Sequence, residues 1–187
     1  MGKHFLQKGS LLVANPMDND DYFNRSVVLL TQDHQKLGFL GFIINKPTVF
    51  VLNDFFPNLN LSFDVPIFNG GPVDQKTLFF IHSRPDLIQN SREIDPNHYW
   101  GGDLSSVFSC LKNERLSPLE IRFFIGYTGW EKCQLENEIE EKSWNIIPNS
   151  KQSIFELSIA NLWKDCMRQI GGEKLLWLNT PQKLSLN

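Results

Sequence analysis

The apolar positions change period several times along the chain, and each change marks an element. Ser10 to Ala14, Val27 to Thr31 and Phe39 to Ile44 are short runs rich in Leu, Val, Ile and Phe. Asn15-Pro16 with an acidic loop separates the first two, and the polar turn Gln32 to Gly38 separates the last two. Aliphatic and aromatic runs of this length between turn residues predict strands, the second and third forming a hairpin with one buried face. Pro16 ends the first because it lacks the N–H that a ladder needs. Gly41, inside the third run, predicts a bulge or a close backbone approach.

From Phe50 to Leu61 the pattern supports two readings. Val51, Leu52, Phe55 and Phe56 fit one face of a short helix, while Phe50 and Val51 equally suit the start of a strand. Val65 to Phe68 and Thr77 to His82 predict strands flanking Asn69-Gly70-Gly71-Pro72, where glycines accommodate positive φ. Asp103 is a good N-cap, and Leu104, Val107, Phe108 and Leu111 follow it at the spacing of one buried helical stripe. Ile121 to Tyr127 predicts a strand with Ile121, Phe123 and Ile125 on one face and Arg122 and Phe124 on the other. A two-glycine turn, Gly126 to Gly129, leads to an acidic helix over residues 131 to 142, and Trp144 to Ile147 predicts a short strand. Phe155, Ile159, Leu162, Trp163, Met167 and Ile170 predict a long final helix ended by Gly171-Gly172, with a loose tail over residues 173 to 187.

The loops between the early strands are too short for crossover helices. The expected fold class is therefore α/β of the α+β kind: a mixed, largely antiparallel sheet with helices packed against it. At 187 residues the chain suits one domain, expected over residues 1 to 172. No apolar run approaches the roughly 18 residues of a membrane span. Met1 to Leu6 carries no apolar signal core, so a cytoplasmic protein with no membrane partner is expected.

Charge and cysteine usage narrow the chemistry. The formal net charge is −3, and Lys and Arg are scattered among 21 acidic residues, which disfavours direct nucleic-acid binding. Cys110, Cys133 and Cys166 lie far apart with no C-x-x-C pair and no neighbouring histidine, which argues against a disulfide framework and a zinc site. There is no G-x-S-x-G elbow, H-E-x-x-H pair, Walker loop or dinucleotide fingerprint. No catalytic residue, cofactor or metal is assigned.

Six residues stand out as a candidate ligand or partner site: His82, Tyr99, Trp100, Asp103, Arg122 and Tyr127. His82 ends an apolar strand, a common place for sites, whereas His34 and His98 fall in polar loops. Tyr99 and Trp100 precede Gly101-Gly102 and offer rigid aromatic anchors for a partner, or else cover the edge of the core. Arg122 interrupts an apolar strand, so its guanidinium must meet a carboxylate, water or ligand, and Glu120 is a neighbour on the same face. Trp130 is expected to be buried, and Cys133 at a helix start has Glu131 and Glu136 opposing a reactive thiolate.

Five segments together carry a family resemblance: Gly9-Ser10-Leu11-Leu12-Val13-Ala14-Asn15-Pro16, Phe23-Asn24-Arg25-Ser26-Val27, Gly41 to Pro47, Asn69 to Val73, and Gly126 to Glu138. From about residue 9 to about residue 172 the chain resembles the AlgH/YqgE family of bacterial proteins. The resemblance implies a single domain whose sheet bifurcates into a pseudo-barrel, in cytoplasmic proteins often labelled transcriptional regulators. It implies no catalytic residues. Where many members have a Cys-Glu-His-type segment after the second strand, this chain has Gln32-Asp33-His34. The expected function is regulation or adaptation through protein contacts rather than by direct DNA binding. The alternative is a small-molecule binder or hydrolase built around His82, Asp103, Arg122 and Tyr127.

Overall fold

The computed structural model describes residues 6–16, 21–34, 38–148 and 153–179. Strands β1 (Leu11–Ala14), β2 (Val27–His34) and β3 (Gly38–Ile43) form an antiparallel meander where the apolar runs predict it. The register shifts between Leu30 and Gln32, opposite Gly41. A Cβ on Gly41 would lie 2.7 Å from the Leu29 carbonyl oxygen, so the predicted bulge and close approach occur together. The ambiguous stretch contains both of its readings: strand β4 (Pro47–Val51) runs directly into the one-turn helix α1 (Leu52–Phe55).

Strand β5 (Pro66–Asn69) and the longer β6 (Val73–His82) flank the Gly70-Gly71 turn. A hairpin of β7 (Arg92–Asp95) and β8 (His98–Trp100) follows, which the sequence pattern does not announce. Strands of three and four residues are too short to display a period of two. Helix α2 (Leu104–Lys112) begins as predicted, with the Asp103 carboxylate accepting from the Ser106 N–H at 3.0 Å.

Strand β9 (Ile121–Trp130) organises the sheet. Antiparallel β6 covers one edge. The other edge is shared: β5 runs parallel along Phe123 to Ile125, and β3 runs antiparallel along Thr128 to Trp130. The sheet therefore forks on β9 and curls into a half-barrel of mixed, largely antiparallel strands, as expected. The expected turn at Gly126 to Gly129 is instead continuous strand, bent at Gly126 where φ is +71°.

The fork is a backbone-on-backbone contact. The Gly70 N–H donates to the Ile125 carbonyl at 2.9 Å, and the Gly70 carbonyl accepts from the Ile43 N–H at 2.9 Å and the Thr128 hydroxyl at 3.2 Å. One residue thus ties both branches to β9. A Cβ would lie 2.3 Å from the Gly126 oxygen if placed on Gly70, 2.2 Å from the Tyr127 oxygen on Gly71, and 2.5 Å from the Gly71 oxygen on Gly126. Only glycine lets these chains touch.

Three apolar clusters hold the layers. The inner face of the curl buries Val13, Leu29, Phe42 and Phe124. Helix α4 (Leu162–Ile170) closes it with Leu162, Trp163 and Met167. The outer face divides at the fork. One part lies under helix α3 (Gln134–Glu140), which leads to β10 (Trp144–Ile147), and the other under α1 and α2.

The final helix is shorter than predicted, because residues 155 to 161 are turn, bend and irregular chain. Ile154 explains this: its N–H donates to His98 Nε2 at 2.9 Å and its carbonyl accepts from Arg122 Nη2 at 2.9 Å. The Ile154 carbonyl, which would accept the first ladder bond of a helix starting at Phe155, is directed to Arg122 instead. Phe155 and Ile159 still pack on the inner cluster, but from turns. Gly172–Asn179, expected as loose tail, is a 3-10 run, and residues 180–187 lie outside the described residues. Among the described residues no helix is long and apolar enough to cross a membrane.

Candidate functional site

Strands β6 and β9 part the predicted site residues. His82 is in register with Ile121 and Tyr99, on the face beneath α2, whereas Arg122 is in register with Ile81 on the inner face. Tyr99 stacks on His82 at 6.0 Å between centroids. Tyr127 packs edge-on against Phe79 at 5.6 Å, beside the inner cluster. Asp103 spends its carboxylate on Ser105 and Ser106. Trp100 and Asp103 share a hollow of about 370 Å³ beside Gly101 and Gly102, where the Arg92 guanidinium lies 5.4 Å over the Trp100 ring. His82, Asp103 and Arg122 do not converge.

The buried histidines His82 and His98 and the buried Arg122 each have structural partners. His82 is fully buried; its Nδ1 accepts from the Arg84 N–H at 3.1 Å, which leaves the proton on Nε2 to donate to the Gly101 carbonyl at 3.3 Å. Burial, partly offset by that carbonyl, lowers its pKa to about 4. The imidazole is neutral near pH 7 and poorly matched to proton transfer there. His98, expected in a loop, is buried at the start of β8 and donates from Nδ1 to Asp95 at 2.8 Å.

Among the described residues Arg122 meets no carboxylate. Glu120, its expected partner, binds Arg84 at 3.0 Å instead. Arg122 donates to the carbonyls of Ile44 and Ile154, each at 2.9 Å, and its guanidinium lies 4.7 Å from the Phe68 ring centroid. Burial lowers its pKa to about 10, so it stays charged at neutral pH.

The His82 environment makes stability depend on pH. The unfolded imidazole binds a proton near pH 6.5 and the folded one only near pH 4, so the stabilisation is complete above 6.5 and is lost as pH falls towards 4. Urea unfolding at pH 4.5 should show a loss of about 2 to 3 kcal/mol relative to pH 7 from this residue. The His82 ring resonances should show no protonation step above about pH 5. A titration near pH 6.5 in the folded protein would refute this.

A second hollow, of about 380 Å³, lies on the outer face beside the fork. Pro72 and Thr128-Gly129 line it from the fork, and Asn15, Phe23 and Asn24 from the loops next to β1 and β2. Trp130 and Trp144 stand edge-to-face at 5.9 Å, and the Phe23 ring meets Trp144 edge-on at 5.4 Å. Glu138 of α3 orders this wall: both indole N–H groups donate to its Oε2 at 2.8 Å, and the Gln134 amide donates to its Oε1 at 2.8 Å.

None of these residues is among the six predicted candidates. The available signal was the set of resemblance segments: Asn15, Phe23-Asn24, Pro72, Thr128 to Trp130, Gln134 and Glu138 all belong to them, from four separate stretches of chain. Trp130 is buried as expected. Trp130→Ala should cost about 3 to 5 kcal/mol, since it removes a large buried side chain and one donor to Glu138. Near-wild-type thermal stability of that variant would refute its place in the wall.

The curled α+β half-barrel sheet with helices packed against it is the fold of AlgH-type domains. The family model described as AlgH-like matches residues 11–175, and the chain belongs to that family. A UPF0301 protein of Chlorobium phaeobacteroides is 38% identical over 97% of this chain and 96% of its own length. One from Parabacteroides distasonis is 35% identical over 96% and 91%. Among solved structures, the AlgH protein of Pseudomonas aeruginosa superposes with a TM-score of 0.72 at 22% identity, covering 97% of this chain and 98% of its own. A Corynebacterium diphtheriae protein superposes with a TM-score of 0.76 at 19% identity, over 96% and 95%.

Proposed function

We propose that this protein is a regulatory or adaptor component of the bacterial cytoplasm that works through protein contacts and carries out no chemistry of its own. The carrying observation is that three of the candidate side chains, His82, Arg122 and Asp103, are consumed by the fold. His82 is neutral and bonded at both nitrogens, Arg122 holds two backbone carbonyls, and Asp103 caps α2. Half-buried Trp100 remains as contact surface beside the Gly101-Gly102 hollow, with Arg92 over its indole. Any effect on transcription is exerted indirectly, because a net charge of −3 opposes phosphate binding.

A stoichiometric protein partner should be retained from lysate by the wild-type chain and lost on Trp100→Ala while the far-UV and near-UV spectra stay unchanged. Binding to random duplex DNA at physiological ionic strength, with micromolar or tighter affinity and a steep salt dependence, would overturn the indirect role. Small-molecule binding is the second reading, and the hollow at the fork favours it.

A further inference from the structure

The hollow beside the fork has an electrostatic feature that the fold does not require. Glu138 brings a carboxylate to its wall, and that carboxylate is met only by neutral donors: the indole N–H groups of Trp130 and Trp144 and the amide of Gln134. Among the described residues no Lys or Arg pairs with it, and no Lys or Arg lines the hollow. Three donors leave room for another on a group with about four lone-pair sites. Its negative charge is solvated by dipoles but not neutralised.

The surroundings reinforce that sign. From Glu131 to Lys142 the segment bearing α3 holds Glu131, Glu136, Glu138, Glu140 and Glu141 against Lys132 and Lys142, a formal excess of three negative charges. Two cations of the adjoining loops pack on rings that do not line the hollow, the Arg25 guanidinium 5.1 Å over the Trp163 ring and Lys46 over Tyr22. A phosphate or carboxylate ligand would face repulsion with no basic side chain to hold it. A cation would find the Glu138 carboxylate, the side-chain amide of Asn24 and the rings of Phe23, Trp130 and Trp144 within one hollow. Carboxylates and aromatic rings together are how organic cations are held.

We propose that this hollow is a binding site for an organic cation, a guanidinium or alkylammonium group, with Glu138 as its counter-ion and the Phe23, Trp130 and Trp144 rings as its walls. The group is carried either by a free small amine or by an Arg or Lys side chain of a protein partner. The site is separate from the Trp100 surface, so either assignment can fail without the other.

The test follows the indole N–H resonances of Trp130 and Trp144 in the full-length protein during titration with agmatine, and separately with a blocked Gly-Arg-Gly peptide. N-butylurea serves as a neutral near-isostere and inorganic phosphate as the anion. Both indole resonances are expected to shift saturably with a cation, at least about tenfold more tightly than with butylurea and more weakly at high salt. Glu138→Gln keeps an acceptor oxygen for the indoles and should weaken cation binding at least about tenfold. Tighter binding of the peptide than of agmatine assigns the cation to a protein partner, and the reverse assigns it to a free amine. The proposal is overturned by no saturable shift with either cation up to about 10 mM, the weak-binding limit. It is equally overturned by equal binding of butylurea, preference for phosphate, or undiminished binding by folded Glu138→Gln. The butylurea comparison uses the wild-type chain, so the test stands even where the variant does not fold.

Discussion

Gly126→Ala should abolish the cooperative thermal transition of this protein, or lower its stability by more than about 5 kcal/mol. Gly126 bends β9 at a φ of +71°, a conformation that costs a residue with a Cβ about 1 kcal/mol before any contact is counted. The larger cost is steric. The added Cβ would sit 2.5 Å from the Gly71 oxygen and 2.8 Å from the Val73 oxygen, and both are backbone atoms that no rotamer change can move aside. Relief requires separating the Gly70-Gly71 segment from β9, which breaks the Gly70 N–H to Ile125 bond and opens the fork. Gly71→Ala should behave alike, because its Cβ would meet Tyr127 at 2.2 Å. Circular dichroism and thermal denaturation would check both, and a well-folded Gly126→Ala with wild-type melting would show that the branches do not touch as described.

Arg122→Met should lower stability by about 3 to 5 kcal/mol in urea, although methionine fills much of the same volume. The substitution leaves the Ile44 and Ile154 carbonyls buried without donors, and each such loss costs about 1 to 3 kcal/mol. It also removes the cation from the face of Phe68. Arg122→Lys should recover only part of the loss, since one ammonium lacks the planar fork that reaches both carbonyls. Hydrogen exchange localises the effect: the Ile154 amide, bound to His98, should lose protection before the amides of β9 do. A small loss in Arg122→Met would mean that the guanidinium is dispensable to the core and free for a ligand.

These two residues show what could be read along the chain. Gly70 and Gly71 form the turn that the pattern predicts, whereas Gly126 bends a continuous strand; a bend inside a strand and a turn between strands place the same demand on φ. Arg122 was visible as a charge needing a partner. The nearest carboxylate in sequence, Glu120, was the natural choice, yet it binds Arg84 while Arg122 reaches Ile44 and Ile154, 78 and 32 residues away. The site residues followed the same rule. His82, Tyr99, Trp100, Asp103, Arg122 and Tyr127 stand out for their individual chemistry, and strand register distributes them over two faces and a helix cap.

What the sequence determined by itself was local: the apolar runs that became β1, β2, β3 and β9, the Asp103 cap of α2, the bulge at Gly41 and the burial of Trp130. Each is imposed by neighbours within one element, where side-chain period and backbone sterics act over a few residues. The tertiary structure alone decided the fork on β9, the β7–β8 hairpin, the truncation of the last helix and the hollow around Glu138. These depend on partners distant in sequence, the extreme being the Trp163 indole donating to the Ala14 carbonyl 149 residues away. No local pattern encodes such a pairing; it is set only when the layers close and each buried polar group must find an available partner.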